Sequence, residues 1–256
     1  MAIYLKTQKE IDLMRRAGRI VGQTLQLLAE HVKPGVTTAE LDDMAYKFIT
    51  SQGAIPTFKG YAPFRTVAPF PGSICASVNE EIVHGIPGER VLKEGDVISL
   101  DCGAIYRGYH GDAAVTVPVG KVSPQLERLL ETGRDSLAAG IAQARPGNRL
   151  GDISHAVEVR IGKGGKYGIV REYGGHGIGR SLWEEPSVPN FGPAGKGVLL
   201  EPGMVIAIEP MVNMGVDDTQ TLEDGWTVIT ADRKPSVHFE HTVAITTNGP
   251  EILTLP

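Results

Sequence analysis

The chain has almost no cysteine: Cys75 and Cys102 are the only two in 256 residues. Two thiols cannot build a disulfide framework, and they suit a reducing compartment as small buried hydrophobes. Long apolar runs are missing as well. The segment from Met1 to Arg16 is polar and charged where a secretory leader needs an apolar core. No stretch approaches the roughly 18 apolar residues of a spanning helix. The expectation is a cytoplasmic protein with no membrane attachment. An excess of one charge is also lacking. A formal net charge of -5, mixed along the chain, offers neither a nucleic-acid groove nor a basic face for lipid. No Ser-rich, Pro-rich or charge-block linker divides the sequence, so a single domain over residues 1–256 is predicted.

What is present occurs twice. Thr7 with Glu10 forms a capping-box signature, and Ile11, Met14, Val21, Leu25 and Leu28 follow at helical spacing up to a stop at Pro34-Gly35. Thr37 with Glu40 opens a second helix, with Leu41, Met44 and Phe48 on its apolar face and Gly53 at its end. In the middle of the chain Ser123-Pro124 starts another helix, carrying Leu126, Leu129, Leu130 and Leu137 to Pro146-Gly147, and a fourth follows from about Asp152. Two helices joined by a Pro-Gly turn thus occur once per half, in segments of about 7–120 and 123–247.

The strands repeat too. Gly95 to Asp101 aligns with Gly203 to Glu209, and both apolar runs end in a carboxylate. A buried unpaired carboxylate is costly, so its recurrence at equivalent places argues for one site shared between the halves. Each strand is followed by an antiparallel partner with a further acid. Tyr106-Arg107-Gly108 marks the first turn, and a two-residue loop at 106 and 107 would set Asp101 directly across from Asp112. In the second half the run from Val237 to Ile245 carries Glu240. The expected fold is α+β, with two pseudo-twofold-related halves that both send acids to the middle.

Four carboxylates brought together repel, each pair at ~4 Å costing about 4 kcal/mol at an effective dielectric near 20. No matching cluster of Lys or Arg accompanies them, whereas two divalent cations neutralise four acids. His176, flanked by Gly174, Gly175, Gly177 and Gly179, is the fifth candidate, its glycines letting the backbone bend and leaving the imidazole unobstructed. An oxygen-rich set with one nitrogen suits Co, Mn or Fe better than a closed tetrahedral zinc site, although zinc remains compatible. Paired cations that activate water point to hydrolysis.

These residues lie in runs that resemble the type I methionine aminopeptidases. The resemblance rests on Ser73 to Pro87 with Asn79, Glu80, Glu81 and His84, on Asp101, and on Tyr109-His110-Gly111-Asp112. It continues through Gly175-His176-Gly177-Ile178-Gly179, Ile208-Glu209-Pro210 and His238, Glu240, His241 and Thr242. It extends from Thr7 to the C-terminus, and in combination the motifs are highly specific. It implies the pita-bread fold, a curved antiparallel sheet covered by two helix pairs. It also implies that Asp112, His176, Glu209 and Glu240 hold one ion and Asp101, Asp112 and Glu240 the other. The implied reaction removes the initiator methionine from nascent polypeptide N-termini whose second residue is small. Glu209 would accept a proton from the attacking water, and His84 would hydrogen-bond the substrate and the tetrahedral intermediate. Phe70, Cys75 and Trp226 match positions of the family's apolar methionine pocket. The family's work implies a transient ribosome contact, for which this sequence has no basic extension. A monomer is expected.

Two departures stand out. The family's second substrate-contacting histidine, seven residues after the metal histidine, is here Trp183, whose indole donates one hydrogen bond and accepts no proton. Stacking on substrate, N–H donation and a purely structural role are the alternatives left to it. Residues 62–69, with Pro63 and Pro69, replace a short link and are expected to border the pocket mouth. The rival readings are an X-Pro aminopeptidase or dipeptidase of the same fold and a noncatalytic pita-bread protein that binds polypeptide. The first usually carries an extra N-terminal domain, and the second has no need of five metal ligands.

Overall fold

The computed structural model describes residues 3–62 and 67–256. Four helices carry the apolar stripes read from the sequence: α1 (Gln8–His31), α2 (Thr38–Ser51), α3 (Pro124–Gln143) and α4 (Leu150–Gly164). Both capping boxes form, with the Thr7 N–H donating to Glu10 at 2.8 Å and the Thr37 N–H to Glu40 at 2.7 Å. The fourth helix begins at Leu150, two residues before the expected start. There the Arg149 N–H donates to Asp152 at 2.7 Å, so the acid completes a first turn rather than opening it. None of these helices is long and apolar enough to cross a membrane.

A nine-stranded antiparallel sheet runs in the order Ile55–Pro56, Val97–Tyr106, Tyr109–Pro118, Glu240–Thr246, Val205–Ile208, Gly175–Gly177, Glu184–Val188. Ile74–Val78 also pairs with Val97–Tyr106, and Gly249–Ile252 with Glu240–Thr246. Its middle is the junction of the halves, where Glu240 faces Ala114 and His241 faces Ala113. The duplication holds in detail. Gly35 and Gly147 take left-handed φ of 93° and 90° in the two helix junctions, which a side chain would strain. The isolated bridges Thr37↔Val91 and Arg149↔Leu199 fix the second helix of each pair in the same way.

Each half has its own core. In the first, Ile20, Val21, Leu28, Leu41 and Ile49 pack on Ile98 and Leu100. In the second, Leu129, Leu137, Ile153 and Val157 pack on Ile206, Ile208 and Val243. A helix pair thus seals one face of the sheet in each half, and the other face of the curved sheet is free to hold a site.

Three local expectations are corrected. Asp101 does not end its strand, which continues to Tyr106, whereas Glu209 does follow directly on Val205–Ile208. The first hairpin turns at Arg107 and Gly108, with φ of 48° and 82°, so Tyr106 pairs with Tyr109. Left-handed φ at both loop residues is the type I′ geometry, which Gly108 enters without steric cost. Asp112 therefore faces Gly103, and Asp101 faces Ala114. Finally, the run from Val237 to Ile245 is not one strand. It breaks at Phe239, so Ser236–His238 pairs with Met211–Asn213 before Glu240–Thr246 joins the main sheet.

Candidate metal centre

The register slip of two residues preserves strand parity, so Asp101 and Asp112 still point to the same face. Asp112 faces Gly103, where a Cβ would stand 3.2 Å from its Oδ1, so the glycine leaves the room this carboxylate occupies. A threonine hydroxyl fixes the Asp112 backbone: Thr242 Oγ1 accepts from its N–H at 3.0 Å and donates to its carbonyl at 2.7 Å. Thr116 does the same for His238, at 2.8 Å in both directions.

His176 sits in the strand Gly175–Gly177. Its glycines are needed for close packing rather than for bending, because a Cβ at Gly175 would lie 2.2 Å from the Ala207 carbonyl and one at Gly177 2.1 Å from that of Glu185. His176 Nδ1 lies 2.9 Å from the Gly177 carbonyl, which assigns the proton to Nδ1 and turns the Nε2 lone pair inward. Nε2 is 3.7 Å from Glu209 Oε1.

The acids, His176 and the pocket residues line one cavity of about 270 Å³, as do His84, Phe70, Cys75, Trp226 and Trp183. Two trios within it have ligand atoms close enough to hold a metal ion: Asp112, His176 and Glu240, and Glu209, His238 and Glu240. Glu240 belongs to both. Asp101 lines the cavity beside them but joins neither trio. His238 is the residue for which sequence analysis gave no role. Its signal was available, since it stands two residues before Glu240 and alternation puts both on one face.

The electrostatics fit cations. Asp101 Oδ1, Asp112 Oδ1, Glu240 Oε1 and both ring nitrogens of His238 are buried without hydrogen-bond partners. Such groups cost about 1–3 kcal/mol each when left unsatisfied, and more when charged. Burial pushes Asp101 up to about 7. Burial, with Asp101, Glu209 and other carboxylates adding to it, pushes Asp112 and Glu240 well above the usual range. Glu209 differs. Burial raises it, but the imidazoles of His238, His176 and His84 outweigh that and hold it below its ordinary value. Once their protons leave, carboxylate oxygens together with neutral imidazole nitrogens match a pair of divalent cations.

Around the centre the walls are aromatic. Trp226 meets Phe70 edge to face at 5.2 Å and His84 at 6.3 Å, and its Nε1–H donates to the Ala68 carbonyl at 2.8 Å. His84 adopts a left-handed φ of 60°, an uncommon conformation for a histidine and a frequent mark of functional loops. Its loop is pinned by the Gly85 N–H, which donates to Ser77 Oγ at 3.0 Å. Cys75 pairs in register with Asp101, and burial together with that acid raises its thiol well above the usual range, so it stays protonated. Trp183 is 47% exposed and packs edge-on against Tyr61 at 5.3 Å and His176 at 6.2 Å, at the cavity rim. Tyr173, which meets His84 at 5.7 Å, also lines the cavity and was not singled out in the sequence. Of the predicted rim loop, residues 63–66 lie outside the described residues.

Buried acids and imidazoles placed to hold metal ions, gathered on one face of a duplicated curved sheet, define a pita-bread metallohydrolase. The profile of metallopeptidase family M24 matches residues 12–247. Methionine aminopeptidase 1 of Bacillus subtilis is 54% identical over 252 residues, covering 98% of this chain and 99% of that one. The methionine aminopeptidase of Clostridium perfringens is 53% identical and covers 99% of each. The crystal structure of methionine aminopeptidase from Rickettsia prowazekii superposes with a TM-score of 0.95 at 42% identity, over 99% of this chain and 100% of that one. The chain belongs to metallopeptidase family M24 and, within it, to the type I methionine aminopeptidases. Prolidase from Pyrococcus furiosus, at 22% identity and a TM-score of 0.78, shares the fold; the match spans 98% of this chain and 65% of that one.

Proposed function

We propose that this protein removes the N-terminal methionine from nascent polypeptides whose second residue is small, with Asp101, Asp112, His176, Glu209 and Glu240 holding two divalent cations. The observation that carries the reading is the set of partnerless buried carboxylate oxygens opening onto an aromatic pocket. The bound cations would supply the balancing charge and the Lewis acidity that makes water nucleophilic near neutral pH. The oxygen-rich donor set favours Co, Mn or Fe, with zinc compatible.

The chain's own residues do the rest. Glu209, kept ionised among three imidazoles, is the proton acceptor for the attacking water and then the donor to the leaving amine. His84 is held neutral because burial lowers it to about 4, so it serves as a hydrogen-bond donor to the scissile carbonyl oxygen rather than as a cation. Phe70, Trp226 and the protonated Cys75 offer a methionine side chain aromatic edges and a soft sulfur contact. Trp183, at the rim, borders the part of the substrate beyond the scissile bond.

The test is to strip the protein with chelator, reload it with Mn, Fe, Co or Zn in turn, and read products by mass from Met-Ala-Ser and from X-Pro peptides. Release of methionine from the first set is expected. Cleavage of X-Pro peptides alone would support the rival of the same fold, and no cleavage under any metal would support a noncatalytic role.

A further inference from the structure

The hairpin register gives the pseudo-twofold an exact partner list. Its centre is the pair Glu240↔Ala114, and Asp101, which faces Ala114, corresponds to Glu209, since the register His241↔Ile208 extended by one residue sets Glu209 opposite Glu240. Two residues before the centre on each strand lie Asp112 and His238. The hydroxyl clamps confirm that these two correspond, because Thr242 brackets the Asp112 backbone as Thr116 brackets that of His238. The residue that occupies the place of an acidic ligand is thus a histidine.

Its side chain is buried, and neither ring nitrogen has a hydrogen-bond partner. Nε2 points at two carboxylates, 3.4 Å from Glu209 Oε2 and 4.0 Å from Glu240 Oε2. Donors that share one cation at bond lengths of about 2.0–2.2 Å stand roughly 3 to 4 Å apart, depending on the angle between them. Both separations fall in that range. His238 reaches this position because the strand break at Phe239 leaves alternation intact: Phe239 turns into the core of the second half, and His238 and Glu240 turn into the cavity.

We propose that His238 is a sixth protein ligand of the centre, its Nε2 binding the same cation as Glu209 and Glu240. The centre then has two imidazoles, His176 and His238, one in each trio that shares Glu240. This inference rests on the two-cation reading above. It predicts a more nitrogen-rich centre than the five residues alone provide, which favours borderline transition metals over hard cations such as Mg.

X-ray absorption of the protein loaded with two equivalents of Co(II) counts imidazoles by their outer-shell scattering. Two per protein are expected, falling to one in His238→Gln and to one in His176→Gln. Calorimetric titration of the metal-free His238→Gln protein should show one of the two ions bound at least about tenfold more weakly, and circular dichroism of the metal-free variant checks its fold. If the variant does not fold, the count on the unaltered protein decides alone. Two ions with a single imidazole would overturn the role of His238 and leave the two-cation reading standing, whereas failure of the unaltered protein to take up cobalt would overturn both.

Discussion

Asp101 and Asp112 sit diagonally across their strand pair, Asp101 facing Ala114 and Asp112 facing Gly103. Diagonal neighbours on one face of an antiparallel pair are within reach of each other's side chains but avoid the closest head-on approach. The arrangement lets two acids serve one centre with an alanine and a glycine as their facing residues. It also makes Gly103 part of the site without any functional atom of its own.

Gly103→Ala is therefore expected to weaken cation binding as well as stability. The new Cβ would stand 2.8 Å from Thr57 Cβ and 3.2 Å from Asp112 Oδ1. Overpacking of this kind costs about 1–3 kcal/mol. Urea unfolding and calorimetric metal titration would measure both effects; a variant equal to the parent in both would show that the carboxylate does not need that space.

Metal uptake should release protons. Asp101 at about 7, and Asp112 and Glu240 well above their usual values, retain protons in the cation-free protein near neutrality, and those protons must leave when the acids bind a metal. Raising the pH removes them in advance, so apparent affinity rises with pH through the neutral range. The same sign applies to folding of the stripped protein. These acids are raised above their unfolded values, so the stability they contribute is fully present below about pH 4 and is lost as pH climbs toward their folded values. Titrations in buffers of different ionisation enthalpy give the proton count directly, and a count of zero at pH 6.5 contradicts the account.

Glu209→Gln removes the proton acceptor but keeps the shape. A drop in kcat of about 10²- to 10⁴-fold is expected on methionyl peptides. Unchanged turnover in the metal-loaded variant would exclude the proposed proton route.

Trp183→His replaces the bulky indole at the rim with a smaller ring that can accept a proton. Peptides with larger second residues should gain in kcat/KM relative to Met-Ala peptides. A competition assay over a set of second residues reads the ratio, and an unaltered profile would refute the idea that the indole narrows the site.

The helices and the duplication are legible in the sequence because their signals are local. The Thr7/Glu10 and Thr37/Glu40 boxes need only three residues of separation, and the Pro-Gly junctions carry their own backbone requirement at Gly35 and Gly147. The five acidic and histidine candidates are legible because buried charge is costly wherever it falls, and all five line the cavity. Register is a different matter. Whether the hairpin turns at 106–107 or at 107–108 is decided by which pair of residues tolerates left-handed φ, and Tyr106 and Gly108 differ most in that respect. The break at Phe239 is less visible still. It follows from Ser236–His238 finding a partner in Met211–Asn213, a pairing between segments more than twenty residues apart. His238 carried a local signal in its two-residue spacing from Glu240, but with the run broken at Phe239 only the fold shows that both side chains enter the cavity.

The two cores meet along a narrow seam, where the backbone ladder between Tyr109–Pro118 and Glu240–Thr246 consists of the pairs Glu240↔Ala114 and His241↔Ala113, reinforced by the Thr116 and Thr242 hydroxyls. Every acid of the centre hangs on one bank of that seam or the other. An ion that takes oxygens from both banks ties them together, so filling the centre should slow amide exchange along these two strands more than in either helix pair. Chemistry and mechanical cohesion would then depend on the same few bonds, and a chain starved of metal would lose its hinge strength along with its activity.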